Sequence, residues 1–492
     1  MERKRVLLAI LTTATAGVLS CGQPPVAPPA SPAEHAQMGV AGRLTYPRRT
    51  VVLYNVQRVL DDGLGDEQRI DSLNLLDQLD VNEPLVNEQL SSVLADNQTP
   101  DPVRTAVLEY LLERDYPGLA KFVVGAFADS ESQSRLREPV LDWLTRHPTP
   151  DVLGEVVKMW AREPADGAGE QRFRQVVERI SGRNWRDALL GALAARDFSA
   201  RGSALEVLRA RLDEQSFRSL ILSQNPTSEA VEAMQLFLRR FDYLPQDRES
   251  LLTVATHAVR RRGEVEAASR LYRKWQQEHG YSFDLKDVHL LCELARDPLR
   301  SDLARTQLVL EVGRSINSRE HVSYTGRRGS SADEYEDNFW MQAEKLGVDD
   351  LWRLHLLSEM LSRPRIRLAL RRMSQLDRTD QLRAWGGLVF YENGQAEAKL
   401  YPGDENPAAP WRYVASPEML TDARDSLCRF HAHFDRVDNA SRAGPDSEEL
   451  RQARQGGYDA LVLTSLDEER FCAHYYTADG TVVSLGIFRY ES

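Results

Sequence analysis

"RFHAHFDRVDNASRAGPDSEELRQA" occupies residues 429–453, and two readings of it lead to two different molecules. His431 and His433 stand two apart. Residues i and i+2 of a β-strand face the same side, so a strand over Leu427–Phe434 lets both imidazoles reach one ion. Beside Phe430 and Phe434, the same two histidines are also compatible with a plain packed interior. The second half poses a similar choice. After Pro445, Asp446-Ser-Glu-Glu449 is a good helix start, with Asp446 as cap and Glu449 reaching back as in a capping box.

The flanking pattern places this stretch in a small α+β domain. Near residue 385 helical spacing gives way to strands. Gly386–Tyr391 runs into Asn393-Gly394, a strong hairpin turn signal, and Gln395–Tyr401 returns. Ser416-Pro417-Glu418 opens a helix to about Ser426. A helix over Asp446–Gln455 precedes a buried strand, Tyr458–Thr464. Phe471–Thr477 and Thr481–Phe488 flank Ala478-Asp479-Gly480 as a last hairpin. The expected domain covers residues 376–492.

A glycine-rich hairpin, a helix, a His-x-His strand, a loop and a helix opening on Pro-x-x-x-acid make an order that resembles the JAMM metalloproteases, also called the JAB or MPN domain. In that family two histidines and an aspartate hold zinc, a glutamate before the glycine strand activates water, and a serine within Pro-Ser-x-x-Asp stabilises the oxyanion. His431 and His433 match the histidine pair and Pro445 the motif proline. Asp446 stands at the serine position and Glu449 at that of the liganding aspartate. The glutamate has no counterpart: Gln381–Trp385 carries no carboxylate, and Asp380 and Glu392 are out of register. The resemblance covers about the last quarter of the chain, with half of its motif intact. It implies a mixed-sheet MPN/JAB-like fold and a zinc site of His431, His433 and Glu449, with Asp435, Asp438 and His474 as substitutes for the third ligand. Three protein ligands suffice for a zinc with an open position.

From about residue 66 to 375 the pattern is helix after helix. Apolar residues at one-face spacing run through Val103, Val107, Leu108, Leu111 and Leu112, behind Asp101-Pro102. Thr149-Pro150 repeats that opening, and Ser228 precedes Val231, Met234 and Leu238. Helix starts fall near 102, 117, 134, 150, 171, 184, 199, 227, 247 and 264. These gaps imply helix pairs of the length found in helical repeats. The segment is similar in architecture to degenerate HEAT repeats, so the expected fold class is mostly α, an α-solenoid over 46–375 with a C-terminal α+β domain. Such pairs bury their faces by stacking and build a concave surface suited to a protein partner. His257, His289 and His355 read as structural, Arg260-Arg261-Arg262 as a solvated basic patch, and residues 323–338 as a polar loop.

The chain opens MERKRVLLAILTTATAGVLSCGQPP. Arg3, Lys4 and Arg5 precede a short apolar run, Val6–Leu19, which reads as a signal-peptide core over residues 1–20. The end of the run at Ser20-Cys21 resembles the lipobox of bacterial lipoproteins, in which the cysteine is acylated. Gly22 in the following position favours the outer membrane in Gram-negative members. Five prolines between Pro24 and Pro32 form a stiff tether over residues 21–45. The expected location is the cell envelope, lipid-anchored, facing the periplasm or the cell surface.

Net charge is −12. Loss of residues 1–20 removes three basic residues and one acidic, giving −14. This argues against nucleic acid and against electrostatic docking on anionic lipid. Cys292, Cys428 and Cys472 are no disulfide framework; the last two could pair only from neighbouring strands. No phosphate-binding glycine loop and no Gly-x-Ser-x-Gly elbow occurs. The resemblances imply two functions: a membrane-anchored, protein-binding scaffold with a non-catalytic MPN/JAB-like domain, and a zinc-dependent amide or isopeptide hydrolase whose base is not identified.

Overall fold

A computed structural model describes residues 48–491 apart from 97, 120–133, 168, 196, 226–227, 323–335, 381 and 406–411. Cys21, the signal-like segment, the proline-rich tether and most of the polar loop lie outside the described residues. The chain divides into two units, Met1–Asp213 and Glu214–Ser492. It is mostly helical, with a C-terminal mixed sheet. No helix among the described residues is long and apolar enough to cross a membrane.

Among its described residues the first unit contains helices and no strand. Helix starts at Asp101, Ser134, Glu170, Trp185 and Phe198 lie within a residue of the expected ones. Glu170–Ser181 shows why such segments fold. Phe173, Val176, Val177 and Ile180 form one buried stripe, and Gly182 at φ 66° ends the helix in the left-handed conformation that glycine adopts without strain. Arg48–Leu60 is a further helix, ahead of residue 66, where the helical spacing begins, and inside the expected bounds 46–375. Asp101 is the first helical residue, and Pro100 rather than Asp101 stands at the cap position. Helices pack on helices one to three places away in sequence, as Leu153–Ala161 does on Phe198–Arg211, with Trp143, Trp160 and Phe173 fully buried.

The second unit combines helices with a six-stranded sheet. Its strands are β1 (Trp385–Glu392), β2 (Gln395–Pro402), β3 (Cys428–His433), β4 (Ala460–Ser465), β5 (Arg470–Tyr476) and β6 (Val482–Arg489), in the order β2-β1-β3-β4-β5-β6. Asn393 and Gly394, at φ 52° and 77°, make the tight β1–β2 turn that the right-handed strand twist favours. Only the β3–β4 pair is parallel, because the helix Ser447–Gly456 carries the chain back between them.

One core runs from Ala233 to Tyr490. It packs one sheet face, including Phe430, Phe434, Leu461 and Tyr475, against helices such as Val348–Met360 and Pro364–Thr379. The compact unit Glu214–Ser492 therefore extends across residues 375 and 376, ahead of the change of period near residue 385. The opposite face is covered by Ser447–Gly456, through Leu450 and Ala453, and by Pro417–Asp422, through Met419. Cys292, Cys428 and Cys472 are buried and in no disulfide among the described residues, and β4 separates the strands carrying Cys428 and Cys472. His257 and His289 lie in this interior, their Nε2 atoms 3.3 Å from the Arg424 carbonyl and 3.1 Å from the Tyr391 carbonyl. Burial pushes both imidazoles down from their ordinary value, as expected of structural histidines.

Candidate metal centre

The site forms where β3 ends and the crossover helix begins. Alternation along β3 sends Phe430 and Ala432 into the main core and His431 and His433 to the other face, their rings 5.2 Å apart. The chain leaves His433 through the short turn Ala440–Arg442 and Gly444, at φ 89°, before reaching Asp446. Asp446 is the cap of Ser447–Gly456, and its Oδ1 accepts from the Glu449 N–H at 2.8 Å. Glu449 answers with Oε2, which accepts from the Asp446 N–H at 2.8 Å.

This capping box uses only one oxygen of Glu449. The other, Oε1, lies 2.7 Å from His431 Nε2 and 3.1 Å from His433 Nε2. The two sequence readings are therefore compatible: the residue that closes the cap also faces both histidines. Burial opposes ionisation of Glu449, but the charges and hydrogen bonds of His431 and His433 outweigh it and hold the carboxyl well below its ordinary range.

The Arg442 backbone sets the imidazole of His433. Its Nδ1 lies 3.0 Å from the Arg442 carbonyl oxygen. A carbonyl only accepts, so Nδ1 carries a proton. In a neutral ring Nε2 then presents its lone pair to Glu449 Oε1, which is also an acceptor. A cation must lie between them, either a proton on Nε2 or a metal ion. The arrangement of a ring N–H on a backbone carbonyl, with the other nitrogen free to donate, is what orients metal-binding histidines.

His431 is held differently. The Tyr413 ring stacks beside it at 6.3 Å and 9°. Gly386 pairs with His431 in the register, and a Cβ there would stand 2.5 Å from the Tyr413 ring. Glycine at this position therefore gives the tyrosine its place. The Tyr413 hydroxyl donates to Met419 Sδ at 2.6 Å.

Two imidazoles and a carboxylate are a zinc donor set. Tetrahedral bonding at about 2.0–2.1 Å places donors roughly 3.3 Å apart. His431, His433 and Glu449 can bring all three donor atoms within 4.8 Å of one another, so a small opening of the present contacts accommodates an ion.

The remaining candidates are engaged elsewhere. Pro445 is buried just ahead of the cap, and Asp446 serves as the cap. Asp435 accepts from Asn439 at 2.8 Å and Arg442 at 3.2 Å, and Asp438 from the Ala440 N–H at 3.4 Å. His474 is on β5, two strands from β3, 3.4 Å from Asp337. Asp380 pairs with Arg383 and Glu392 with Arg261.

Sequence reasoning missed Asp377. It lies on the buried stripe of Pro364–Thr379 with Ile366, Leu370 and Met373, and a carboxylate on an apolar stripe was the available signal. Its two oxygens accept from the N–H groups of Trp385 at 3.0 Å and Phe434 at 3.1 Å. It thereby ties the start of β1 to the residue after His433. Burial and the Asp435 charge outweigh those hydrogen bonds and push its carboxyl up to about 7.

Fold and site thus define a mostly helical protein whose C-terminal mixed sheet carries a His-His-Glu cluster. In comparisons with known proteins, no family model matches the chain, and no curated protein and no solved structure matches it.

Proposed function

We propose that the protein is a lipid-anchored scaffold of the cell envelope whose C-terminal domain is a degenerate MPN/JAB-like module that binds zinc through His431, His433 and Glu449. The observation that carries the metal reading is the convergence of His433 Nε2 on Glu449 Oε1 while Nδ1 is committed to the Arg442 carbonyl. The anchor reading is supported by Cys21 behind the basic and apolar leader and ahead of the proline-rich tether. The helices between tether and sheet are read as HEAT-like, and as the surface that holds a protein partner.

Catalysis needs more than the donors. Among the described residues no second carboxylate bonds to either histidine, which favours a binding module over a hydrolase. Three ligands do leave a zinc position open, and this keeps amide or isopeptide hydrolysis as the second reading. Bound zinc would supply Lewis acidity. Glu449 and the two histidines would hold it, and Tyr413 would restrict the His431 ring.

Metal content of the purified full chain, measured by mass spectrometry, tests the centre. The expected result is near one zinc per chain, lost in His431→Ala and His433→Ala. No metal after zinc reconstitution, with the fold retained, would sink it. With zinc bound, cleavage of an isopeptide-linked reporter that His433→Ala abolishes would replace the scaffold reading by the hydrolase.

A further inference from the structure

A second site lies at the other end of the parallel strands. The chain just ahead of β3 and β4 borders a cavity of about 840 Å³, within the range of small-molecule sites. Four cations reach its wall: Lys286, Arg353, Arg424 and Arg429. Three have carboxylate partners. Lys286 Nζ lies 2.9 Å from Asp459 Oδ2. Arg353 holds Asp287 at 2.6 Å and Asp459 at 3.0 Å. Arg424 pairs with Glu249.

Arg429 differs. It is half-buried and has no carboxylate partner among the described residues. Its guanidinium lies over the Tyr458 ring, 4.1 Å from the centroid. Stacking orders a planar fork by one face and leaves its N–H edges to bond in plane. A carboxylate fits such an edge with two parallel hydrogen bonds. The acids Asp247, Glu249, Asp284 and Asp459 share the wall, so a multiply charged anion meets repulsion that a single carboxylate largely escapes. Leu285, Leu420 and Leu427 provide apolar surface for the rest of a ligand.

We propose that this cavity binds a small monocarboxylate with an apolar body, its carboxylate on the Arg429 fork and its body against the leucines. The site uses none of the His431, His433 and Glu449 donors, so it stands or falls apart from the metal centre.

The test is thermal stabilisation and calorimetric titration of the full chain with straight-chain carboxylates from acetate to octanoate. The matched primary amides and inorganic phosphate serve as comparisons. The expected result is saturable binding that tightens with chain length and is absent for the amides. Arg429→Gln weakens it about tenfold or more, the loss of one charge-assisted pair, while His431→Ala leaves it unchanged. Leu420→Trp, which adds bulk at the cavity wall without touching the cation, blocks binding even if Arg429→Gln fails to fold. Equal binding of the amides, preference for phosphate, an unaffected Arg429→Gln variant, or no binding by any carboxylate would each overturn the proposal.

Discussion

Successive residues of β3 enter two different interiors. Phe430 and Ala432, continued by Phe434 just past the strand, join a core shared with the helices. Phe434 packs edge-on against Phe471 and Tyr490. Arg429, His431 and His433 look the other way, to Tyr458 and to Glu449. The first set resists change of volume, the second change of charge and hydrogen bonding. A strand can carry both because alternate side chains do not share neighbours. The comparison teaches that the chemistry-bearing face is held from behind: groups reaching from the core side fix the ends of the strand.

The largest effects should come from those groups. Arg353 donates to the Leu427 carbonyl at 3.2 Å, immediately before β3, and holds Asp287 and Asp459. All three charged residues are nearly inaccessible. Arg353→Met strands the buried Asp287 carboxylate and leaves Asp459 to Lys286 alone, so a loss of about 3–5 kcal/mol in urea unfolding is expected. A loss below about 1 kcal/mol would show that the network does not anchor the strand. Phe434→Ala should cost a similar ~3–5 kcal/mol through the cavity it opens. His433→Ala should cost much less in unfolding free energy and yet abolish metal binding. If His433→Ala proves as destabilising as Phe434→Ala, the division between the faces fails.

Acidity sharpens the contrast next. Burial, then the charges of Asp287 and Asp350, push Asp349 up to about 8, although Arg353 and Lys286 act against this. Asp377 is pushed up to about 7. Both folded values lie above the unfolded value near 3.8. The native state therefore keeps these protons while the unfolded chain releases them. Their contribution to stability is full below 3.8 and is lost as pH rises toward about 7 and 8. Glu449 acts with the opposite sign: its contribution is present above 4.5 and is lost as pH falls below that value. Urea unfolding should weaken from about pH 5 to about pH 8 by on the order of a few kcal/mol, and Asp349→Asn should flatten the curve. A flat wild-type curve would mean that these carboxyls are not buried as described.

Much of the fold was legible because its signals are local. Ser228 and Ser416 cap the helices they precede, and Asn393-Gly394 turns β1 into β2. The alternation around His431 placed both imidazoles on one side. What was not legible depends on tertiary neighbours. The change of period near residue 385 marks where strands begin, but a period does not say which helices share their core. Tyr413 is far in sequence from His431, and only the register that sets Gly386 beside that histidine brings them together. Asp377 could be seen as an acid on an apolar stripe, but the backbone groups it satisfies belong to two strands that fold onto it.

The smallest predicted effect falls on the residue that joins the two readings of the opening stretch. Asp446 is exposed and has no direct bond to either histidine among the described residues. Its work is the cap: Oδ1 receives the Glu449 N–H, and its own N–H holds Glu449 Oε2. Asp446→Ala removes the first bond and leaves the second, so about 1 kcal/mol of stability should be lost. If capping were all that mattered, zinc affinity would be untouched. Here, however, the cap also fixes the helix turn from which Glu449 Oε1 reaches the imidazoles. Loosening that turn should weaken zinc by about tenfold, as loss of an outer-shell partner does, and Asp446→Ser should restore most of both. A variant that loses stability but binds zinc as the wild type does would separate helix cap from metal centre.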